Sequence, residues 1–255
     1  GAGPPSPTAT EDPHPTPRTS SDDVVDPVLE AQRHGRLVGR QDVPTSVTLG
    51  GVALQPYRGY GSREEIFLTT KVWPTDFAYD RVIRKTGESL KKLRTEYVDL
   101  LLMHWPGDGV PLSETLGAMR ELQEEGSVSH VGVSNFSPSL VEEAAEHAEI
   151  FCNQVQYHPY RSQNALLEQA QEMDYLLTAY TPLSRGGVQR DKTLREIGEA
   201  HNKTATQVAL RWLLQQDKVC AIPKATGEEH LRENLDVFDF ELSDEEMDRI
   251  FSLGR

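Results

Sequence analysis

An α/β fold built on a parallel sheet is what this sequence predicts, and three observations predict it. From Ile66 onward, short strand-like apolar runs alternate with amphipathic helical stretches, six times over. Those runs are apolar on both faces, as strands covered by helices must be. The third observation decides between two architectures. An open doubly wound sheet that binds dinucleotides usually shows a glycine fingerprint after its first strand. Here the nearest candidate, GYGSRE at 59–64, lacks the third glycine and precedes a strand. No phosphate-loop motif is present either. A closed (β/α)₈ barrel is therefore expected, although only six of its eight strands can be counted.

The elements follow in order. Residues 1–27 hold seven of the 16 prolines and few apolar side chains. Such a segment cannot bury enough surface to offset its ordering entropy, so an unstructured extension is expected. Residues 28–65 are weakly patterned: VLEAQRHGRLVG reads as a short helix, and SVTLGGVALQPY as a hairpin around Gly50 and Gly51. Residues 66–255 form the regular part. IFLTTKV opens it, followed by a helix with Val82, Thr86, Leu90 and Leu93 at helical spacing. VDLLLMH leads to a helix carrying Leu112, Leu116 and Met119 that stops at Gly126. SHVGVSN runs into Ser137–Pro138, a cap residue with proline in the first helical position. FCNQVQY, YLLTAY and VCAIPK are the remaining strands. Ser243, with Glu246 three residues on, opens the last helix as a capping box.

Composition narrows the function. The formal charge of −14 argues against a non-specific binder of nucleic-acid backbones. The two cysteines, Cys152 and Cys220, lie in apolar runs without metal-ligand or redox-pair spacing, and read as buried thiols. No apolar run approaches membrane-spanning length, and the N-terminus lacks a basic-then-apolar signal pattern. A cytoplasmic monomer acting on a small molecule is the expectation.

Polar residues gather where the strands stop. Lys71 comes late in IFLTTKV, His104 ends VDLLLMH, and Ser134–Asn135 end VGVSN. Gln154 punctuates FCNQVQY, Tyr180 ends YLLTAY, and Lys224 ends AIPK. In a parallel barrel all C-terminal strand ends open on one face, where active sites are built. Any one of these residues alone would be an ordinary strand terminus. Six strands together point to a shared site.

GESLKKLRTEYVDLLLMHWP, VGVSNF, NQVQYHP, AYTPL and IPKATGEEHLRENLDVFDF resemble the aldo-keto reductase family, from Arg63 to about Leu253. The resemblance implies a (β/α)₈ TIM barrel that binds NADP(H), with NAD as the alternative, and reduces aldehydes or ketones. It assigns Lys71 as the lysine whose charge favours a catalytic tyrosine's phenolate. His104 is the histidine that hydrogen-bonds the substrate carbonyl. Trp73 and Trp105 are expected to line the substrate pocket. Ser134, Asn135 and Gln154 match the carboxamide-binding positions, and Tyr180 the aromatic residue stacked on the nicotinamide. Thr181, Leu183 and Ala225 fall in the cofactor-binding loops. Lys224 matches the cation paired with the 2′-phosphate. Thr226 and Glu229 fit a capping box there, at a helix N-terminus that favours anions. Glu233 and Asn234 match the adenine end. His230 stands where many members have arginine, and a neutral imidazole cannot make the bidentate charged pair. No metal is implied.

The resemblance breaks upstream. The family's catalytic aspartate and tyrosine lie in a D-T-A…Y-G-N-E type motif around the second barrel strand, and that motif is absent. Asp42, Tyr57 and Tyr60 do not stand in its context. The first two βα units are expected to be missing or diverged, with an abrupt join near Gly61. Two functions follow: a carbonyl reductase whose tyrosine is unidentified, or a non-catalytic nicotinamide-nucleotide-binding relic.

Overall fold

The computed structural model describes residues 28–32, 46–49, 63, 66–225 and 227–254. The expected extension at 1–27, and Asp42, Gly50, Gly51, Tyr57, Tyr60 and Thr226, lie outside them. Eight strands form one sheet in the order β2-β1-β3-β4-β5-β6-β7-β8. They are β1 (Val28–Gln32), β2 (Ser46–Leu49), β3 (Ile66–Val72), β4 (Val98–Met103), β5 (Val128–Ser134), β6 (Cys152–Gln156), β7 (Leu176–Tyr180) and β8 (Val219–Ile222). From β3 to β8 each strand pairs in parallel with the next. That sequential order, without a reversal point, belongs to a barrel wall and not to a doubly wound sheet.

The first two strands depart from the pattern. Val28–Gln32 is a strand, not the helix that VLEAQRHGRLVG suggests. It pairs antiparallel with β2 on one side and with β3 on the other. The pairing partner decides, because strand propensity is context-dependent and an open β3 edge would leave its backbone groups unpaired. The missing strands of the barrel count are thus supplied by an antiparallel pair in place of two βα units. At the far edge β2 approaches β8, so the sheet curls toward closure.

Helices α1 (Tyr79–Leu93), α2 (Leu112–Glu124), α3 (Pro138–Ala145) and α4 (Asn164–Met173) fill the crossovers from β3 to β7. Two helices, α5 (Lys192–His201) and α6 (Ala205–Leu214), separate β7 from β8. The helices α7 (Glu228–Leu235) and α8 (Asp244–Phe251) follow. In α1 the spacing of Val82, Thr86 and Leu93 buries one face, with Leu90 packed against the same core. The caps read from sequence form: Ser137 accepts from the Leu140 amide, and Ser243 and Glu246 exchange a reciprocal capping box. The structure starts α7 at a Gly227 cap without a side-chain bond, one residue past the expected Thr226.

The chain re-enters the regular part at Arg63. Its guanidinium meets the Asp99 carboxylate at 2.7 Å and lies 4.0 Å over the Tyr97 ring. The same Asp99 oxygen accepts from the Leu68 amide at 2.7 Å. This knot ties the start of β3 to β4. Along β5, the backbone of β6 comes so close that a Cβ on Gly132 would lie 2.8 Å from the Cys152 carbonyl oxygen. Only glycine fits that approach.

Candidate functional site

The C-terminal strand ends bring most of the sequence-expected residues into two adjoining groups. The first is a hydrogen-bonded rim across β3 to β7. Lys71 Nζ donates to Gln154 Oε1. Register places Ser134 beside Gln154, and Ser134 Oγ donates to the Gln154 carbonyl at 2.8 Å. Asn135 comes one residue past the end of β5, with φ 62°. Asparagine tolerates this left-handed conformation better than most residues. The turn aims its amide across the rim. Nδ2 donates to Ser134 Oγ at 3.0 Å and to the His104 carbonyl at 3.3 Å. Its Oδ1 accepts from the Tyr180 hydroxyl at 2.8 Å.

Burial pushes the Tyr180 phenol up from its ordinary pKa, with Arg161 pulling weakly the other way. The phenol stays protonated at neutral pH and can donate to Asn135. His104 follows β4, its amide held by the Val72 carbonyl at 3.0 Å. Its ring lies 4.2 Å from that of Trp73, tilted by 33°. Trp73 and Trp105 are both about half exposed, at 46% and 45%. Large indoles left in the open beside a polar rim are candidates for an apolar ligand wall.

The second group is a cleft of ≈ 510 Å³ between the loop after β7 and the β8–α7 segment. One wall carries Thr181 and Leu183, the other Lys224, Ala225, His230, Glu233 and Asn234. Seven residues nominated separately from sequence thus share one cavity. Sequence reasoning missed Arg185, Gly186, Gln189 and Thr206, which line it as well. The signal for the loop was the Gly186–Gly187 pair just after a strand. Thr206 belongs to α6 and carried no strand-end mark.

Backbone conformation marks the same loop. Thr181, Ser184 and Arg185 have φ of 52°, 48° and 54°. A β-branched threonine is a true outlier there, and each such residue costs on the order of 1–3 kcal/mol. Lys224 and Arg185 are exposed and enter no ion pair among the described residues. The cleft therefore offers unneutralised positive charge, although the chain as a whole is strongly acidic. Its other end is polar and acidic. Glu233 Oε1 accepts from Thr204 Oγ1 at 2.6 Å, and Oε2 lies 3.3 Å from His230 Nδ1.

A parallel barrel wall thus carries an amide–phenol rim and a cation-bearing cleft side by side at its strand ends. The particular class follows from comparison: the chain belongs to the aldo/keto reductase family, whose model matches residues 46–255. Its members are oxidoreductases acting on carbonyl groups. The match begins upstream of Arg63 and takes in β2.

The chain is 40% identical over 196 residues to the glyoxal reductase of Bacillus subtilis, covering 76% of this chain and 70% of that protein. It is 36% identical over 198 residues to the methylglyoxal reductase DkgB of Salmonella typhi (75% and 73% covered). Among solved structures it resembles an aldo/keto reductase from Klebsiella pneumoniae in complex with NADP and acetate. The TM-score is 0.73 at 32% identity, over 78% of this chain and 73% of that one. Among the described residues no helix is long and apolar enough to cross a membrane, and no cluster of metal-ligating side chains occurs.

Proposed function

We propose that this chain reduces small aldehydes or ketones to alcohols with NADP(H). The observation that carries the reading is the continuity of rim and cleft through Tyr180–Thr181, where strand β7 passes into the cleft-lining loop. A dinucleotide fits that layout. Its carboxamide offers both donors and an acceptor, which Ser134, Asn135 and Gln154 can answer. Its ring can lie on Tyr180, and its phosphates can meet Lys224 and Arg185. When bound in reduced form the cofactor would supply a hydride, and solvent would supply the proton that turns the resulting alkoxide into the alcohol. Dicarbonyl reduction by the Bacillus and Salmonella relatives makes short, reactive aldehydes the first substrates to try.

The chain's own groups then divide the work. The Lys71 ammonium, anchored on Gln154, sets positive potential where oxygen charge develops during reduction. His104, braced against Trp73, can hydrogen-bond the carbonyl oxygen and fix its direction. Trp73 and Trp105 exclude water from that side. Lys224, with no carboxylate partner among the described residues, supports NADP over NAD; His230, drawn to Glu233, adds no second fixed cation to that preference.

One observation favours a second reading, a nucleotide binder without turnover. The antiparallel pair β1–β2 stands where the resemblance places the units bearing the catalytic aspartate and tyrosine. A single experiment separates the two. NADPH is titrated against the protein by fluorescence, and then its absorbance is followed with methylglyoxal. Binding with oxidation supports the reductase. Binding without oxidation supports the relic, and no binding defeats both.

A further inference from the structure

We propose that Thr204, which does not line the cleft, is a positioning residue for it: its hydroxyl fixes Glu233 and thereby sets ligand affinity. The inference rests on the dinucleotide reading of the cleft and adds a residue outside it.

The turn between α5 and α6, with the first turn of α6, grips the α7 region at three points. Lys203 Nζ donates to the Asp236 carbonyl at 3.2 Å and meets the Asp236 and Asp239 carboxylates at 2.8 Å each. Gln207 Nε2 donates to the same Asp236 carbonyl at 2.7 Å. These two contacts hold the C-terminal end of α7, where the last carbonyls of a helix otherwise lack partners. The third contact reaches further toward the cleft: Thr204 Oγ1 donates to Glu233 Oε1 at 2.6 Å.

That hydroxyl has two jobs. It accepts from the Gln207 amide at 3.2 Å as the N-cap of α6, within a complete capping box. Its single proton goes to Glu233. A hydroxyl can do both because it donates once and accepts twice. With His230 on the other oxygen, both carboxylate oxygens of Glu233 are engaged while the residue lines the cavity. Without the Thr204 proton, the carboxylate is free to swing toward solvent. A hydrogen bond to a charged group is stronger than one between neutral groups, and ordering a glutamate side chain costs rotamer entropy. Preordering of this kind appears directly in ligand affinity.

The two jobs can be separated chemically. Thr204→Ser retains both. Thr204→Asp retains the cap acceptor but loses the donor and faces Glu233 with like charge. The test is NADPH affinity by titration calorimetry, with melting temperature and kcat measured on the same samples. Thr204→Asp should raise the NADPH Kd of the folded protein about tenfold, while Thr204→Ser should stay near wild type in both Kd and melting temperature. On a Glu233→Gln background the Thr204→Asp penalty should shrink severalfold, a result that does not depend on how stable each variant is. Undiminished affinity in Thr204→Asp overturns the proposal, as does an equal penalty in both backgrounds or a Thr204→Ser variant as weak as Thr204→Asp. A wild-type chain that does not bind NADPH defeats the dinucleotide reading and this inference with it. Wild-type binding with an indifferent Thr204 defeats this inference alone.

Discussion

Around the rim, Lys71, Gln154, Ser134, Asn135 and Tyr180 hold one another in a chain of hydrogen bonds that crosses strands β3, β5, β6 and β7. In the neighbouring cleft, Lys224 and Arg185 have no acidic partner among the described residues, and the loop bearing Arg185 runs through left-handed conformations. The rim is built from strand ends, whose spacing the sheet fixes. The cleft is built from a loop, a helix cap and α7. A preorganised polar network suits chemistry that needs fixed directions, whereas unneutralised cations suit capture of a charged ligand. The two regions therefore predict different kinetic signatures when each is damaged.

The largest effect belongs to the rim. Lys71→Met should lower kcat by on the order of 10²-fold or more, with NADPH Kd changed far less; stopped-flow and binding titrations read the two separately. In the cleft the pattern should invert. Lys224→Ala should weaken NADPH by about tenfold through loss of a charged phosphate contact, with NADH nearly unaffected. Equal weakening of both cofactors would mean that Lys224 does not read the 2′-phosphate.

Smaller effects test the frame under the rim. Asp99→Ala removes one acceptor from Arg63 and the side-chain acceptor of the Leu68 amide at a site only partly open to water. A loss of about 2 kcal/mol is expected in urea unfolding, with kcat per folded molecule preserved. The smallest concerns pH. Burial pushes the Glu246 carboxyl up, but hydrogen bonds from Ser243 and His201 outweigh it and leave the pKa below its usual value. A depressed carboxylate stabilises the fold above its unfolded pKa, and that contribution is lost as pH falls through the lower folded value. Glu246→Gln should therefore flatten the acid limb of the melting-temperature profile and leave the cofactor Kd unchanged.

Much of this was legible beforehand, for physical reasons. Strands β3 to β8 are buried on both faces and bounded by capped helices, so their apolar runs stand out. Polar residues at the ends of such runs are conspicuous, and Lys71, His104, Asn135 and Tyr180 were nominated that way. The strand at Val28–Gln32 was misread because Leu, Glu, Ala and Gln suit a helix locally. Only the exposed β3 edge, far along the chain, recruits them to the sheet. Arg185 and Thr206 escaped because loops and helix faces carry no periodic mark for the cavity that they line. Thr204 carried no mark in the sequence for this role, because its bond to Glu233 spans 29 residues.

Treating rim and cleft as one dinucleotide site puts the nicotinamide at Tyr180 and the phosphates toward Lys224. A crystal structure of the chain soaked with NADPH is the decisive measurement. The ring should lie against Tyr180, its carboxamide on Asn135 and Gln154, and the 2′-phosphate within hydrogen-bonding reach of Lys224. A cofactor lying elsewhere, or one with its adenine at Tyr180, would contradict the single-site reading.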